Sequence, residues 1–386
     1  MHLPNRGDLL DMQRKITLHD IILTAFFLIF DFGIIISACQ LGTSEERLFI
    51  QRILIIASSV SLILDYVLAQ TFSLRECLCV IFFLILSVVI FIATQSFNVL
   101  KLSLFILAAR GTTLRKVVIF NILSLLLSTC IIVMTSIFGI TDIYFRESAV
   151  KFDMIWTTYV FGFNNPNTPP LIIFSIITGY NIINRHNIKS TIIFSELFIG
   201  FMLFFFFASR TALFAITGYC ILLLGYKLFS SNRIFKWIMK PLQYTFLFFT
   251  ILSLAAIYYY SDVNTGWREL NLLLSNRLYL WKEFFNLYGF SFLGQNMSAN
   301  DAPLDNGYVF ILIYYGTLVL AIYNIMFLYV SRFCYRKCEW VLLITAITYS
   351  VYGFFETGIL SFGFCNVLLI FSVLVMNGKK SKNLLI

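Results

Sequence analysis

The chain has 386 residues, of which 60% are hydrophobic and only 12% are charged, and its formal net charge is +9. A soluble domain has roughly 45–50% apolar and about 25% charged residues, so this composition excludes an ordinary soluble protein. The 43 Phe and 20 Tyr side chains suit hydrocarbon and its interfaces. We therefore expect an all-α, polytopic integral membrane protein that forms a single domain over residues 1–386.

About twelve apolar stretches predict membrane-spanning helices, and most of them approach the roughly 20 residues needed to cross a bilayer. The predicted spans are 18–38, 49–68, 77–93, 94–109, 117–138, 168–184, 190–208, 211–228, 242–260, 306–330, 340–357 and 358–376. The fourth span is short and contains Gln95, Asn98 and Lys101, which leaves a re-entrant segment open as an alternative.

The distribution of basic residues predicts the orientation of the chain in the membrane. Most of the 28 Lys and Arg fall in loops that are cytoplasmic if the N-terminus lies inside, for example Arg110, Arg115 and Lys116. Cytoplasmic loops of membrane proteins carry such an excess. We therefore expect both termini in the cytoplasm, and the basic charge requires no nucleic acid as a partner.

The first large external loop is predicted over about 139–167. It contains Arg146 and ends in a turn before two prolines, where Asn167 or Thr168 is placed to cap a helix. Capping alone would explain this turn, but a helix N-terminus at a membrane surface is also suited to binding an anion. Arg210 lies in the next external turn, where a single arginine could instead anchor a helix by snorkelling.

The later external loop is predicted over about 261–305. Apolar residues recur at helical spacing between Arg268 and Tyr288, which predicts one amphipathic helix on the membrane interface. Arg277 lies on its polar side and Trp281 on its aromatic side, although simple interfacial packing would give the same pattern.

Ionisable side chains inside membrane spans are functional candidates, and we consider four of the carboxylates within the predicted spans. Asp31, Asp65 and Glu196 could simply pair with polar neighbours, whereas Glu356 lies nearer the external end.

The external arginines run against the general charge bias, and they suggest a ligand. Arginine holds phosphate well because its planar fork donates paired, charge-assisted hydrogen bonds. Neighbouring aromatic side chains offer faces on which sugar rings can stack. A lipid-pyrophosphate-linked saccharide combines both chemistries, and the arginines expected to contact it are Arg146, Arg210, Arg268 and Arg277.

Together with the span number and the large late external loop, four short motifs resemble the bacterial O-antigen/capsular polysaccharide repeat-unit polymerase family, which is related to the O-antigen ligases. They are Gly162-Phe163-Asn164-Asn165-Pro166-Asn167, Ser209-Arg210-Thr211-Ala212, Asn276-Arg277 and Asp305-Asn306-Gly307-Tyr308.

The resemblance implies a glycosyltransferase on the outer face of the bacterial cytoplasmic membrane. Neither external loop gathers the carboxylate cluster usual for a divalent ion, so we expect the activity to need no metal, and we expect no cofactor. The enzyme's substrates would be undecaprenyl-pyrophosphate-linked oligosaccharides, polymerised into capsular, O-antigen or exopolysaccharide, and its partners a flippase and chain-length regulator proteins. Arg277 and Arg210 would stabilise the departing pyrophosphate, and Asp305 would accept a proton. The expected substrate-binding residues are Arg146, Arg268, Asn167, Asn306, Tyr308, Trp281 and Glu356.

Two other functions fit parts of the same pattern. A flippase for the same lipid-linked oligosaccharide would place cations inside its spans, whereas here Lys101 is the one basic residue near the middle of a predicted span. An O-antigen ligase would join the glycan to a different acceptor. Related ligases often carry a histidine near the position of Asp305, and its absence here favours a polymerase.

Overall fold

The computed structural model describes residues 17–68, 73–144, 149–151, 154–230, 232–297, 304–360 and 363–376. Within these residues the architecture is helical, apart from one antiparallel hairpin of β1 (Ala149–Lys151) and β2 (Met154–Trp156). The helices are α1 (Leu18–Ser37), α2 (Ser44–Leu68), α3 (Leu74–Thr94), α4 (Asn98–Leu107), α5 (Leu114–Ile137), α6 (Thr168–Ile183), α7 (Ser190–Phe207), α8 (Arg210–Phe229), α9 (Arg233–Leu242), α10 (Thr245–Tyr259), α11 (Thr265–Leu273), α12 (Arg277–Tyr288), α13 (Gly307–Lys337), α14 (Trp340–Phe355) and α15 (Asn366–Met376).

Every predicted span contains a helix, but the helices differ in their ability to cross a bilayer. In the described part of the chain, 7 helices are long and apolar enough to do so, or 8 if α9 and α10, which are bent by 43°, form one span. Helices α4, α6, α14 and α15 are shorter, and the 10 residues of α4 extend only about 15 Å at 1.5 Å per residue. The protein is therefore a helical, multi-pass membrane protein.

The sequence determines several helix starts locally. At the start of α1, the Thr17 hydroxyl accepts a hydrogen bond from the Asp20 amide, and the Asp20 carboxylate accepts one from the Thr17 amide. Ser73 and Glu76 form the same reciprocal capping box at the start of α3. Such boxes satisfy amide groups that have no partner within the helix.

Helix α14 lies at the centre of the bundle, whereas α7 lies at its periphery. All residues of α14 are buried except Val351 and Phe355. Helix α7 buries one stripe and exposes apolar side chains such as Phe194 and Phe198, as expected of a helix that faces lipid. Glu356 is the C-cap residue that directly follows Phe355, so this carboxylate is placed by the most enclosed helix of the site.

The later loop does not form the single amphipathic helix predicted over Arg268–Tyr288, so that expectation is wrong. The chain breaks between α11 and α12, where Ser275 and Asn276 adopt left-handed φ values of 56° and 62°. Asn271 stabilises the break, because its Oδ1 accepts from the Tyr279 amide at 3.1 Å and its Nδ2 donates to Asn276 Oδ1 at 3.2 Å. These local hydrogen bonds compete successfully with the continuous helical period.

The end of the later loop is built into a break in α13. Helix α13 begins with one turn, continues through a π-helical segment at Ile311–Tyr315 and turns at Gly316, whose φ is +89°. A Cβ at Gly316 would lie 2.3 Å from the Gly294 amide nitrogen. The Gln295 amide donates to the Tyr314 carbonyl at 3.1 Å, so the loop satisfies backbone groups that the break exposes.

Candidate functional site

A cavity of about 460 Å³ lies where α6, α8 and α12 begin and α14 ends. It brings together five residues that the sequence analysis selected from separate segments. They are Asn167, Arg210, Arg277, Asp305 and Glu356. Its remaining lining is provided by small polar and apolar side chains, with the two non-buried residues of α14, Val351 and Phe355, among them.

Arg277 is the first residue of α12, and it lies between two carboxylates. Its Nη2 atom is 3.2 Å from Asp305 Oδ2 and 3.8 Å from Glu356 Oε1. Its Nη1 atom donates a 2.8 Å hydrogen bond to the Phe355 carbonyl. The guanidinium side chain is 17% exposed, so this cation is fixed in orientation while part of it still faces the cavity.

Glu356 connects three segments of the chain. Its Oε1 atom accepts hydrogen bonds from Asn167 Nδ2 at 3.1 Å and from Thr211 Oγ1 at 3.0 Å. Asn167 occupies the N-cap position of α6, as predicted, but its side chain makes no capping bond because it is directed to Glu356. Capping alone therefore does not explain this residue.

Arg210 begins α8 and reaches the break between α11 and α12. Its Nη2 atom donates to Ser275 Oγ at 3.2 Å. Ser275 lies two residues before Arg277, so the left-handed turn at 275–276 determines where both arginines stand relative to each other. The side chain of Arg210 is partly exposed at the cavity.

The helix termini add positive potential to a site whose formal charges balance. Arg210 and Arg277 offset Asp305 and Glu356, the four charged residues among those that line the described cavity. Helices α6, α8 and α12 all begin there, and none of their N-cap residues makes a side-chain capping bond. A helix N-terminus carries a partial positive charge, so the starts of α6, α8 and α12 together favour an anion there.

Asp305 is the carboxylate of the cavity that is best placed to exchange a proton. Its side chain is 37% exposed, whereas that of Glu356 is 7% exposed. Partial burial raises the pKa of Asp305 above its ordinary value, and the nearby Arg277 cation opposes that shift. A carboxylate with a raised pKa is a better proton acceptor at neutral pH than an ordinary one.

Three predicted substrate contacts lie behind the cavity wall, which corrects the expectation that they touch the sugar. Asn306 is fully buried and caps α13, accepting from the amides of Tyr308 and Val309. The buried Tyr308 donates its hydroxyl hydrogen to the Ser350 carbonyl at 2.8 Å. Trp281 is 1% exposed and packs edge to face on Phe354. Asn306 and Tyr308 instead fix the segment that follows Asp305, and Trp281 packs α12 against α14.

The structure describes one of the two other predicted arginines, Arg268. Arg268 is exposed on α11 and does not line the cavity. Arg146 lies outside the residues that the structure describes.

The sequence analysis missed Thr211 and Ser275 as site residues. Thr211 belongs to a motif that was recognised only for its arginine, and its hydroxyl donates to Glu356. No sequence pattern marked Ser275 as a site residue. Its contact with Arg210 depends on a left-handed backbone within a segment whose spacing predicts a continuous helix.

Comparisons of the chain with protein-family models, with curated proteins and with solved structures give no match.

Proposed function

We propose that the protein is a metal-independent polysaccharide polymerase that joins undecaprenyl-pyrophosphate-linked repeat units at the outer face of a bacterial cytoplasmic membrane. The convergence of Arg210, Arg277 and Asp305 on one cavity supports this proposal most strongly. The proposed topology has about twelve crossings, including the short helices, with both termini in the cytoplasm.

In the proposed reaction, a sugar hydroxyl of the acceptor attacks the anomeric carbon of the donor glycan. A new carbon–oxygen bond forms, the bond from that carbon to the pyrophosphate oxygen breaks, and undecaprenyl pyrophosphate leaves. Asp305 takes the proton of the attacking hydroxyl. The pyrophosphate leaves with the bonding electrons, so its charge must be stabilised as it develops.

The cavity supplies groups for both halves of this reaction. The partly exposed Arg210 and Arg277 lie beside three helix N-termini, which together favour a departing anion. Glu356 does not need to contact substrate, because its contacts with Arg277, Asn167 and Thr211 position the wall of the site. Preorganised charges of this kind act without rearrangement during the reaction.

The experiment that tests the proposal is reconstitution of the purified protein with a lipid-linked repeat unit. Polymerase activity would produce a ladder of glycan lengths on the lipid, and Arg277→Ala should slow the formation of the ladder by about 10²–10³-fold. A single transfer to a different acceptor would identify a ligase. Movement of the intact lipid-linked unit between leaflets without chain growth would identify a flippase.

A further inference from the structure

A second cavity adjoins the first one. It has a volume of about 310 Å³ and lies among α1, α4, α6 and α13. Asn167 and Glu356 line the first cavity, and the residues that follow them, Thr168 and Thr357, line the second. The two cavities are therefore separated by the start of α6 and the segment that follows α14.

Lys101 is the charged residue that lines this second cavity in the described structure. It is 7% exposed, and its Nζ atom donates to the neutral Asn98 Oδ1 at 2.9 Å. Within the described residues no carboxylate pairs with it. A buried ammonium group without a counter-ion is destabilising, and one hydrogen bond to an amide does not neutralise it.

The rest of the lining suits a ligand with an anionic head and an apolar body. Gln51, Tyr315 and Thr168 provide polar groups, and Thr168 is the first residue of the 16-residue helix α6, whose N-terminus carries partial positive charge. Most other lining side chains are apolar, as Leu171 and Phe310 illustrate. A pocket that served packing alone would gain nothing from a buried cation, which destabilises the fold unless an anion lies beside it.

We infer that the Lys101 cavity is a second anion site, which binds the pyrophosphate head group of a second lipid-linked substrate. This assignment rests on the proposed function, because a polymerase must hold two lipid-linked glycans at once. The cavity beside Arg277 holds the donor, whose pyrophosphate leaves. The Lys101 cavity holds the acceptor, whose pyrophosphate is retained, so a single ammonium group that fixes charge without stabilising a leaving group is sufficient there.

Direct binding tests the inference without depending on catalysis. The purified protein in nanodiscs of neutral lipid is titrated with undecaprenyl pyrophosphate, and native mass spectrometry counts the bound molecules. We expect two for the wild type, and one for Lys101→Met and for Arg277→Ala. Loss of a charge-assisted hydrogen bond, worth about 1.5–3 kcal/mol, should weaken the affected site by about 10- to 100-fold. The matched control is Lys227→Met, since Lys227 is exposed on α8.

Two further arms identify the ligand chemistry. Undecaprenol lacks the anion and should not occupy the site, whereas inorganic pyrophosphate lacks the apolar body and should compete only weakly. Strong, Lys101-dependent binding of inorganic pyrophosphate would overturn the assignment to a lipid head group. Equal binding of undecaprenol would overturn the assignment to an anion.

Thermal stability separates a ligand-binding lysine from a structural one. If Lys101 is kept for binding, Lys101→Met removes an uncompensated buried charge and should raise the unfolding temperature of the ligand-free protein. A lower unfolding temperature together with unchanged binding would show that Lys101 serves packing, and would overturn the inference. The binding assay also distinguishes failure of this inference from failure of the proposed function. If only the proposed function is wrong, Arg277→Ala still binds two lipids, whereas Lys101→Met binds one.

Discussion

Asn167 Nδ2 donates a 3.1 Å hydrogen bond to Glu356 Oε1, across 189 residues of the chain. This contact joins the start of α6 to the end of α14, and Arg277 Nη2 lies 3.8 Å from the same oxygen atom. The geometry of the cavity therefore depends on Glu356. In the proposed reaction this residue neither contacts the leaving group nor accepts a proton.

We expect Glu356→Gln to reduce chain growth by roughly 10²-fold, because misplacement of catalytic groups by about 1 Å has effects of that size. Glutamine keeps the shape of the side chain but removes the charge that faces Arg277. Glu196→Gln is the matched control, since Glu196 is also buried and also accepts from an asparagine, Asn181 Nδ2 at 2.8 Å. Polymer yield and membrane insertion should be measured for both. Equal activity of the two variants would remove Glu356 from the site.

The pH dependence of the rate should follow Asp305. Burial raises the pKa of Asp305, and only its ionised form can accept the proton, so activity should rise as pH increases through that raised pKa and then level off. Asp305→Asn should lose activity at every pH. A rate that is flat from acidic to neutral pH in the wild type would contradict a role for Asp305 as the base.

The sequence predicted the helical architecture and all four charged residues that line the described cavity, because both follow from composition and local pattern. Long apolar runs require helices in a bilayer, where backbone groups have no water to bind. External arginines stood out against the charge bias, and Arg210 and Arg277 do line one cavity.

The rest of the site depends on tertiary contacts that a local pattern does not reveal. Asn306 matched a motif, but its amide oxygen caps α13 and is fully buried. The break at Ser275 and Asn276 interrupts apolar spacing that continues on both sides of it. The sequence around Glu356 only weakly indicated a site residue, because its partners Asn167 and Thr211 come from two other helices and are distant in the chain.

Gly316→Ala should destabilise the protein by at least about 2 kcal/mol, from overpacking and backbone strain together. The added Cβ would lie 2.3 Å from the Gly294 amide nitrogen and 2.5 Å from the Phe292 carbonyl oxygen, at a φ of +89°. Gly218→Ala, within α8, is the control, because its Cβ would meet no atom within 4 Å and alanine favours a helix. Thermal unfolding in detergent should show a lower midpoint for the first variant alone. Similar midpoints would mean that the loop does not pack into the break in α13.

The proposed orientation predicts where reporter fusions will be active. Fusions at positions 155 and 285 should report outside, and fusions at 112, 235 and 335 should report inside, as the excess of basic residues implies. A periplasm-dependent enzyme and a cytoplasm-dependent fluorophore at each position give opposite readouts. An inside signal at 285 would separate the Arg277 cavity from an external lipid-linked substrate and would reject the proposed function.

The last prediction separates a phosphate-binding role of the arginines from an anchoring role. Arg277 contacts Asp305, Glu356 and the Phe355 carbonyl through one planar guanidinium group. Lysine keeps the charge but loses the fork, so Arg277→Lys should be nearly as damaging as Arg277→Ala. Loss of a preorganised donor to a developing anion typically lowers the rate by about 10²–10³, or roughly 2.7–4 kcal/mol.

The same pair of substitutions at Arg210 should behave in the same way, because Arg210 lines the cavity beside Ser275. Arg268→Ala and Lys282→Ala are the controls from the same loop, since both side chains lie outside the cavity lining. Ladder length and protein level in the membrane should be measured for every variant. A snorkelling anchor would be rescued by lysine, which reaches the interface as well as arginine does. Near wild-type ladders from both lysine variants would therefore show that these arginines position helices and that the pyrophosphate is held by other groups.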